Sequence, residues 1–74
     1  MPIDLLAACG SALYGPQWQS PLARDLGISD RTVRRWLAGT SEMPAGVLAE
    51  LLRLLQARAV TLGDLAQQLR AVAV

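Results

Sequence analysis

The segment from Gln19 to Gly39, QSPLARDLGISDRTVRRWLAG, is the feature that most constrains what this chain can fold into. Its Ser-Pro pair is typical of a helix start, because serine is a good N-cap and proline is accepted in the first turn. Gly27 ends this helix, since glycine adopts the left-handed backbone conformation at little cost. Ser29 then caps a second helix over Asp30–Ala38, which Gly39 ends. The segment therefore predicts two short helices joined by a tight turn.

Three further helices are predicted, and no segment shows the sustained alternation of a strand. The pair Gly15-Pro16 stops the first helix, and Thr61 and Asp64 form a variant of the capping box at the start of the last. The sequence thus predicts an all-α, compact five-helix domain. The expected helices are Ile3–Leu13, a second from Ser20-Pro21 to the residue before Gly27, Asp30–Ala38, about Ala45–Ala57 and about Leu62–Val72.

Length and composition limit how such a domain can be stabilised. Its 74 residues are 53% hydrophobic, but a chain of this size buries only a modest core. With Cys9 as the lone cysteine and no histidine, neither a disulfide framework nor a structural zinc site is expected. We therefore expect close helix packing or oligomerisation to stabilise the fold.

The cellular location of the protein can also be predicted. No apolar run approaches the ~18 residues of a membrane span. The start, MPIDLLAACG, lacks the cationic region of a secretory signal. Together with the single thiol, these features favour a cytoplasmic protein without a membrane partner.

The helix Asp30–Ala38 separates apolar and basic side chains onto two faces. All seven basic residues of the chain are arginines, and three of them lie between positions 31 and 35, although the net charge is only +1. Helical spacing directs Arg31, Arg34 and Arg35 to one side and apolar residues to the other. The residues predicted to line the inside are Leu22, Ala23, Leu26, Ile28, Val33, Trp36 and Leu37, with Trp18 and Cys9 as further packing residues.

This register resembles the lambda repressor and Cro-like (XRE-type) helix-turn-helix family. The residues that carry the resemblance are Gln19, Ala23, Gly27, Val33, Trp36 and Gly39. The chain is also similar in size to small phage and mobile-element regulators, a group that includes the anti-CRISPR-associated autorepressors. The resemblance implies a bacterial or phage-encoded protein that binds double-stranded DNA through the second helix of the motif and represses transcription.

The resemblance also implies roles for individual residues. Base reading falls to Arg31 first and Arg34 second, since arginine can donate two hydrogen bonds to guanine; Ser29 and Asp30 occupy neighbouring recognition positions. Asp30 has three possible roles: it accepts from cytosine, it orients Arg34, or it favours the helix dipole. The predicted contacts to the DNA backbone are Gln19, Ser20, Thr32 and Arg35.

A single recognition helix covers too few base pairs for useful specificity, so we expect a homodimer on an inverted repeat. The apolar residues of the helix Ala45–Ala57 span about 160° of its surface, more than the ~100° that its own core requires. The predicted interface residues are Leu51, Leu54, Leu55 and Leu69. The chain is accordingly expected to form one domain over 1–74, with the motif at about 19–39 and dimerisation helices at about 45–72.

Catalysis is not expected. The chain has no histidine, no metal-ligand spacing, no glycine-rich phosphate loop and no pairing of a nucleophile with a base. We therefore predict neither a cofactor, a metal nor a small-molecule substrate. Two other functions remain open: the DNA-binding half of an antitoxin or a recombination accessory factor, and a helical protein-interaction adaptor that binds no DNA.

Overall fold

The computed structural model describes residues 2–73, and over these residues it contains four α-helices and no strand. The predicted all-helical class is confirmed. The expected domain over 1–74 includes Met1 and Val74, which lie outside the described residues. The helices are α1 Ile3–Tyr14, α2 Gln19–Leu26, α3 Asp30–Ala38 and α4 Ala45–Ala73.

The prediction of five helices is wrong because the last two form one continuous helix, α4, of 29 residues. Thr61 was expected to cap a new helix, but its hydroxyl donates to the Ala57 carbonyl at 3.2 Å, a bond that threonine makes inside a helix. Gly63 has a negative φ and does not end the helix either. A threonine and a glycine each cost at most about 1 kcal/mol in a helix, and a second helix would need its own costly nucleus. Continuing α4 is therefore favoured.

The start of α2 also differs from the prediction. The Leu22 N–H donates to the Trp18 carbonyl at 3.0 Å, so that Trp18 takes the N-cap position that was assigned to Ser20. Ser20 lies inside the first turn, where its hydroxyl is free for another partner. Pro21 follows in the same turn, and its missing N–H costs nothing because the first N–H groups of a helix have no partner within it.

The connection between α2 and α3 forms as predicted. Gly27 has the left-handed conformation, with φ 71° and ψ 31°, and it ends α2. The Ile28 N–H donates to the Ala23 carbonyl at 2.9 Å. The Ser29 hydroxyl accepts from the Thr32 N–H at 3.2 Å and so caps α3. Both bounds of α3 agree with the prediction, because each is determined by a cap that can be read locally.

The core lies where α1, α2 and α3 meet the first half of α4. Trp18 and Trp36 are both buried in it, as predicted, and Cys9 is partly buried at its edge. The indole of Trp18 packs directly against α1 at Gly10, where an added Cβ would lie 2.2 Å from the ring carbon Cε3. The buried cluster consists of Leu6, Trp18, Leu22, Ala23, Val33, Trp36 and Leu51.

The molecule is elongated, with extents of 52 × 22 × 21 Å. A helix of the length of α4 measures about 43 Å, which is longer than the body it packs against. Its first half contributes Val47, Leu51 and Leu54 to the core, whereas its second half extends beyond α1–α3. Within residues 2–73, none of the helices is both long and apolar enough to cross a membrane.

Candidate nucleic-acid interface

Helix α3 is attached to the core by one face only. Val33 and Trp36 are buried and Leu37 is half-buried, so these three side chains fix the helix from behind. Arg31, Arg34 and Arg35 are all exposed on the remaining surface. The predicted separation of apolar anchors from arginines is therefore confirmed, and it follows from the 3.6-residue period of the helix.

Helix α2 supports α3 at close range. Ala23 is almost fully buried between the two helices, and its small side chain lets their axes approach. Leu22, the residue before Ala23, is completely buried in the core. Because both helices are anchored by buried side chains, the exposed side of α3 is presented on a rigid support.

Within residues 2–73, the arginines of α3 have no acidic partner. In the part of the chain that the structure describes, the only ion pair joins Arg53 to Glu50 on α4, at 2.8 Å. The pairing of Asp30 with Arg34, one of the three roles considered for Asp30, is not formed. The guanidinium groups of α3 consequently have N–H donors available for an external acceptor such as a phosphate or a guanine edge.

Asp30 has a different partner within the chain. Its Oδ2 accepts a hydrogen bond of 2.5 Å from the Ser20 hydroxyl, which links the first turn of α3 to the first turn of α2. A hydroxyl has a single proton to donate, so Ser20 cannot donate to a phosphate while this bond holds. Asp30 also lies in the first turn of α3, where a carboxylate is favoured by the helix dipole.

The other residues predicted to contact the DNA backbone lie near the same end of the two helices. Gln19 is the first residue of α2 and is half-buried. Thr32 lies in the first turn of α3, and its hydroxyl is 3.1 Å from that of Ser29. Since the bond between Ser20 and Asp30 brings the two helix starts together, Gln19 lies on the same side of the molecule as the start of α3.

Two polar contacts at the C-terminal end of α1 were not predicted. The Tyr14 hydroxyl donates to Asp25 Oδ2 at 2.5 Å and joins α1 to α2. Burial, followed by this hydrogen bond, raises the pKa of Tyr14 to about 12. The Arg58 guanidinium donates to the Leu13 carbonyl at 2.7 Å and so supplies a cation to the C-terminal end of α1, which has no basic residue in its own last turn. Neither contact has a local sequence signal, because the partners are far apart in the chain.

The structure separates the four leucines that were predicted to form a dimer interface. Leu51 is only 3% exposed and belongs to the core of its own chain, so it is not available to a partner. Leu54 and Leu55 are half-buried, and Leu54 packs against the core. Leu69 is strongly exposed, on the part of α4 that extends beyond the body. The prediction for Leu51 is therefore corrected, and the most exposed of the four leucines is the one nearest the end of α4.

The chemistry available at this surface is the binding of anions and of hydrogen-bond acceptors. Arginine guanidinium groups match phosphate and guanine in a planar, two-pronged geometry.

Comparison of the chain with protein-family models, with curated proteins and with solved structures finds no match.

Proposed function

We propose that this protein binds double-stranded DNA in a sequence-specific manner and acts as a homodimeric transcriptional regulator. The observation that carries the proposal is the arrangement of α3: its three exposed arginines have no acidic partner among the residues that the structure describes, and its opposite face is buried. In this proposal α2 and α3 form a helix-turn-helix unit, and α3 enters the major groove.

Base recognition is assigned to the N-terminal part of α3. Arg31 lies in its first turn, and Arg34 follows one turn later on the same exposed side. Each can donate two hydrogen bonds to O6 and N7 of guanine, a contact that discriminates against the wrong base by ~1–3 kcal/mol. Ser29 and Asp30 lie beside Arg31 and contribute to the same surface.

Backbone contacts are assigned to the residues around this surface. Within residues 2–73, Arg35 is exposed and has no ion-pair partner, Gln19 begins α2, and Thr32 lies in the first turn of α3. Contacts with phosphates position the protein without reading sequence. Because few basic residues are available, we expect affinity to fall with salt, but less steeply than for a strongly basic protein.

The proposal that a dimer regulates transcription follows from the need to bind two half-sites. A two-fold dimer on an inverted repeat places its two α3 helices one helical turn of DNA apart, ~34 Å, or a multiple of that spacing. A dimer bound across a promoter blocks RNA polymerase, so we propose repression.

Selection of bound duplexes from a random pool tests the proposal most directly. We expect an enriched palindrome that contains guanines in both halves. A variant with Arg31→Ala and Arg34→Ala should enrich no consensus, whereas Arg53→Ala, which removes an arginine from α4, should enrich the same palindrome as the wild type. If no duplex is enriched or retarded at low salt, the proposal is wrong, and an adaptor that binds proteins through α4 is favoured instead.

A further inference from the structure

The second half of α4 has an apolar stripe that nothing in the described chain covers. We define the α4 stripe as Leu62, Leu65, Leu69 and Val72, whose exposed fractions are 59%, 50%, 71% and 83%. Intervals of three and four residues separate them, so they lie on one side of the helix. A row of four exposed large aliphatic side chains is typical of an interaction surface.

The α4 stripe continues the face of α4 that packs against the body. Leu51 in the core, Arg58 at its edge, and then Leu65 and Val72 recur every seven residues. A helix drifts by only ~20° over seven residues, so these positions form nearly one line. Arg58, which is bonded to the Leu13 carbonyl, marks the point where the cover provided by α1 ends.

The spacing along this face is that of a coiled coil. Leu48, Leu55, Leu62 and Leu69 recur every seven residues, and each of the last two is followed three residues later by another apolar side chain, Leu65 or Val72. Alternation of intervals of three and four keeps an apolar seam facing a neighbouring helix. The α4 stripe therefore has the pattern of a helix that pairs with another helix.

We propose that the partner is a second copy of this chain, whose α4 stripe packs against the first in an antiparallel helix pair. The four positions that flank the α4 stripe along the seam are Thr61, Ala66, Gln68 and Ala73. All four are uncharged, whereas charged residues at such positions usually determine which helix is bound as the partner and in which orientation. Two identical copies consequently meet without charge repulsion along the seam.

The antiparallel orientation follows from the position of α1. Helix α1 packs on the same face of α4, immediately before the α4 stripe. In a parallel pair, the α1 helices of both copies would have to occupy the space between the two α4 helices. In an antiparallel pair, Leu62 faces Val72 of the second copy and Leu65 faces its Leu69. Each α1 then lies outside the paired segment and no collision occurs.

This pairing rests on the homodimer of the proposed function, and it names the surface and orientation of that homodimer. The seam contains four large side chains from each copy, fewer than the ~20–30 residues a side of a standard interface. We therefore expect a reversible dimer at micromolar protein concentration. Two half-sites on one duplex should strengthen it, because they hold both copies at high effective concentration.

Sedimentation equilibrium of the full chain tests whether the α4 stripe forms the interface. Leu65→Glu and Leu69→Glu place a charge in the seam and should give monomers at concentrations where the wild type is dimeric. Val60→Glu is the matched control, since Val60 is 64% exposed on the other side of the same helix. It should remain dimeric. Helix content measured by circular dichroism should be equal for all variants, because the substituted residues are exposed. A monomeric wild type, or dimeric Leu65→Glu and Leu69→Glu, overturns the proposal.

Disulfide formation tests the orientation. In a Cys9→Ser background, Leu62→Cys and Val72→Cys should cross-link when the two variants are mixed, because the pairing brings these positions together. Each variant alone should not cross-link, since the two copies of position 62 would lie about 15 Å apart along the helix axis, beyond the reach of a disulfide. Cross-linking of each variant with itself indicates a parallel pair and overturns the proposed orientation.

DNA-binding assays distinguish failure of the pairing from failure of the proposed function. A dimer through the α4 stripe that retards no DNA leaves the pairing intact and contradicts the proposed function. A protein that binds duplex DNA but remains monomeric in solution and on a full palindrome contradicts the pairing and leaves DNA contact by α3 intact.

Discussion

Ser20 and Asp30 are joined by a hydrogen bond of 2.5 Å, from the Ser20 hydroxyl to Oδ2 of the carboxylate. The bond connects the first turns of α2 and α3, and it places a negative charge beside the arginines of α3. Both residues were predicted to contact DNA. Their bond joins the two helices within the chain, and the carboxylate of Asp30 reduces the positive potential near Arg31.

Asp30→Asn should separate these two effects. The amide oxygen can still accept from Ser20, but the negative charge is removed. We expect affinity for random duplex DNA to rise by about 0.2–1 kcal/mol, the range of exposed charge pairs. The free energy of unfolding should fall by about 0.3–1 kcal/mol, because a carboxylate is lost from the start of a helix. Fluorescence anisotropy and urea unfolding measure the two quantities.

Asp4→Asn is the matched control for this substitution. Asp4 also lies in the first turn of a helix, α1, but it is not on α2 or α3. Its substitution changes the net charge of the chain by the same amount. If both variants gain equal affinity for DNA, the gain reflects net charge alone, and Asp30 has no local effect on α3.

Arg31→Ala should reduce sequence preference more than general affinity. Loss of a guanidinium that reads guanine is expected to cost ~1–3 kcal/mol on the selected palindrome and much less on random DNA. Arg35→Ala should instead weaken binding to all duplexes equally and lower the salt slope by about one. Titrations at several salt concentrations measure both effects, with Arg53→Ala as the control. Equal losses for Arg31→Ala on palindrome and random DNA would show that Arg31 contacts only the backbone.

The parts of the fold that were predicted correctly depend on local signals. The bounds of α3 follow from Ser29 and Gly39, which act on adjacent backbone groups. The burial of Val33 and Trp36 follows from the helical period alone. By contrast, Thr61 and Asp64 have the pattern of a helix start, but α4 continues through both residues without a break. That error concealed the seven-residue repeat, because the predicted break divided it between two helices.

The unpredicted parts of the candidate site join residues distant in sequence. The bond of Ser20 with Asp30 depends on the angle between α2 and α3, which no spacing in the chain specifies. The contact of Arg58 with Leu13 spans 45 positions. Gly10 gave no signal either, since its role is visible only once Trp18 is seen to lie against it. The composition and the helical period therefore predicted which face of a helix is buried, but not which residues of other helices it contacts.

Gly10→Ala should destabilise the fold, although alanine is the better helix former. The added Cβ would lie 2.2 Å from Trp18 Cε3, so the indole must move. Such overpacking costs about 1–3 kcal/mol, and the gain in helix propensity offsets at most about 1 kcal/mol of it. Gly63→Ala is the control, because a Cβ there meets open space. It should stabilise the protein by up to about 1 kcal/mol in chemical unfolding. Stabilisation by Gly10→Ala as well would show that Trp18 does not pack closely on α1.

The bond between Tyr14 and Asp25 should make stability depend on pH in the alkaline range. Burial and the bond to Asp25 raise the pKa of Tyr14 from 10.0 to about 12, so the folded state holds this proton more tightly than the unfolded state. The resulting stabilisation is complete below pH 10, declines between pH 10 and about 12, and is lost above that. The chain has no lysine and no other tyrosine, so no other side chain has its ordinary pKa in this interval.

We expect Tyr14→Phe to be less stable at neutral pH, by about 0.5–1.5 kcal/mol, and to show no decline from pH 10 to 12 in urea unfolding. An equal decline in the Phe variant would assign the pH dependence to another group.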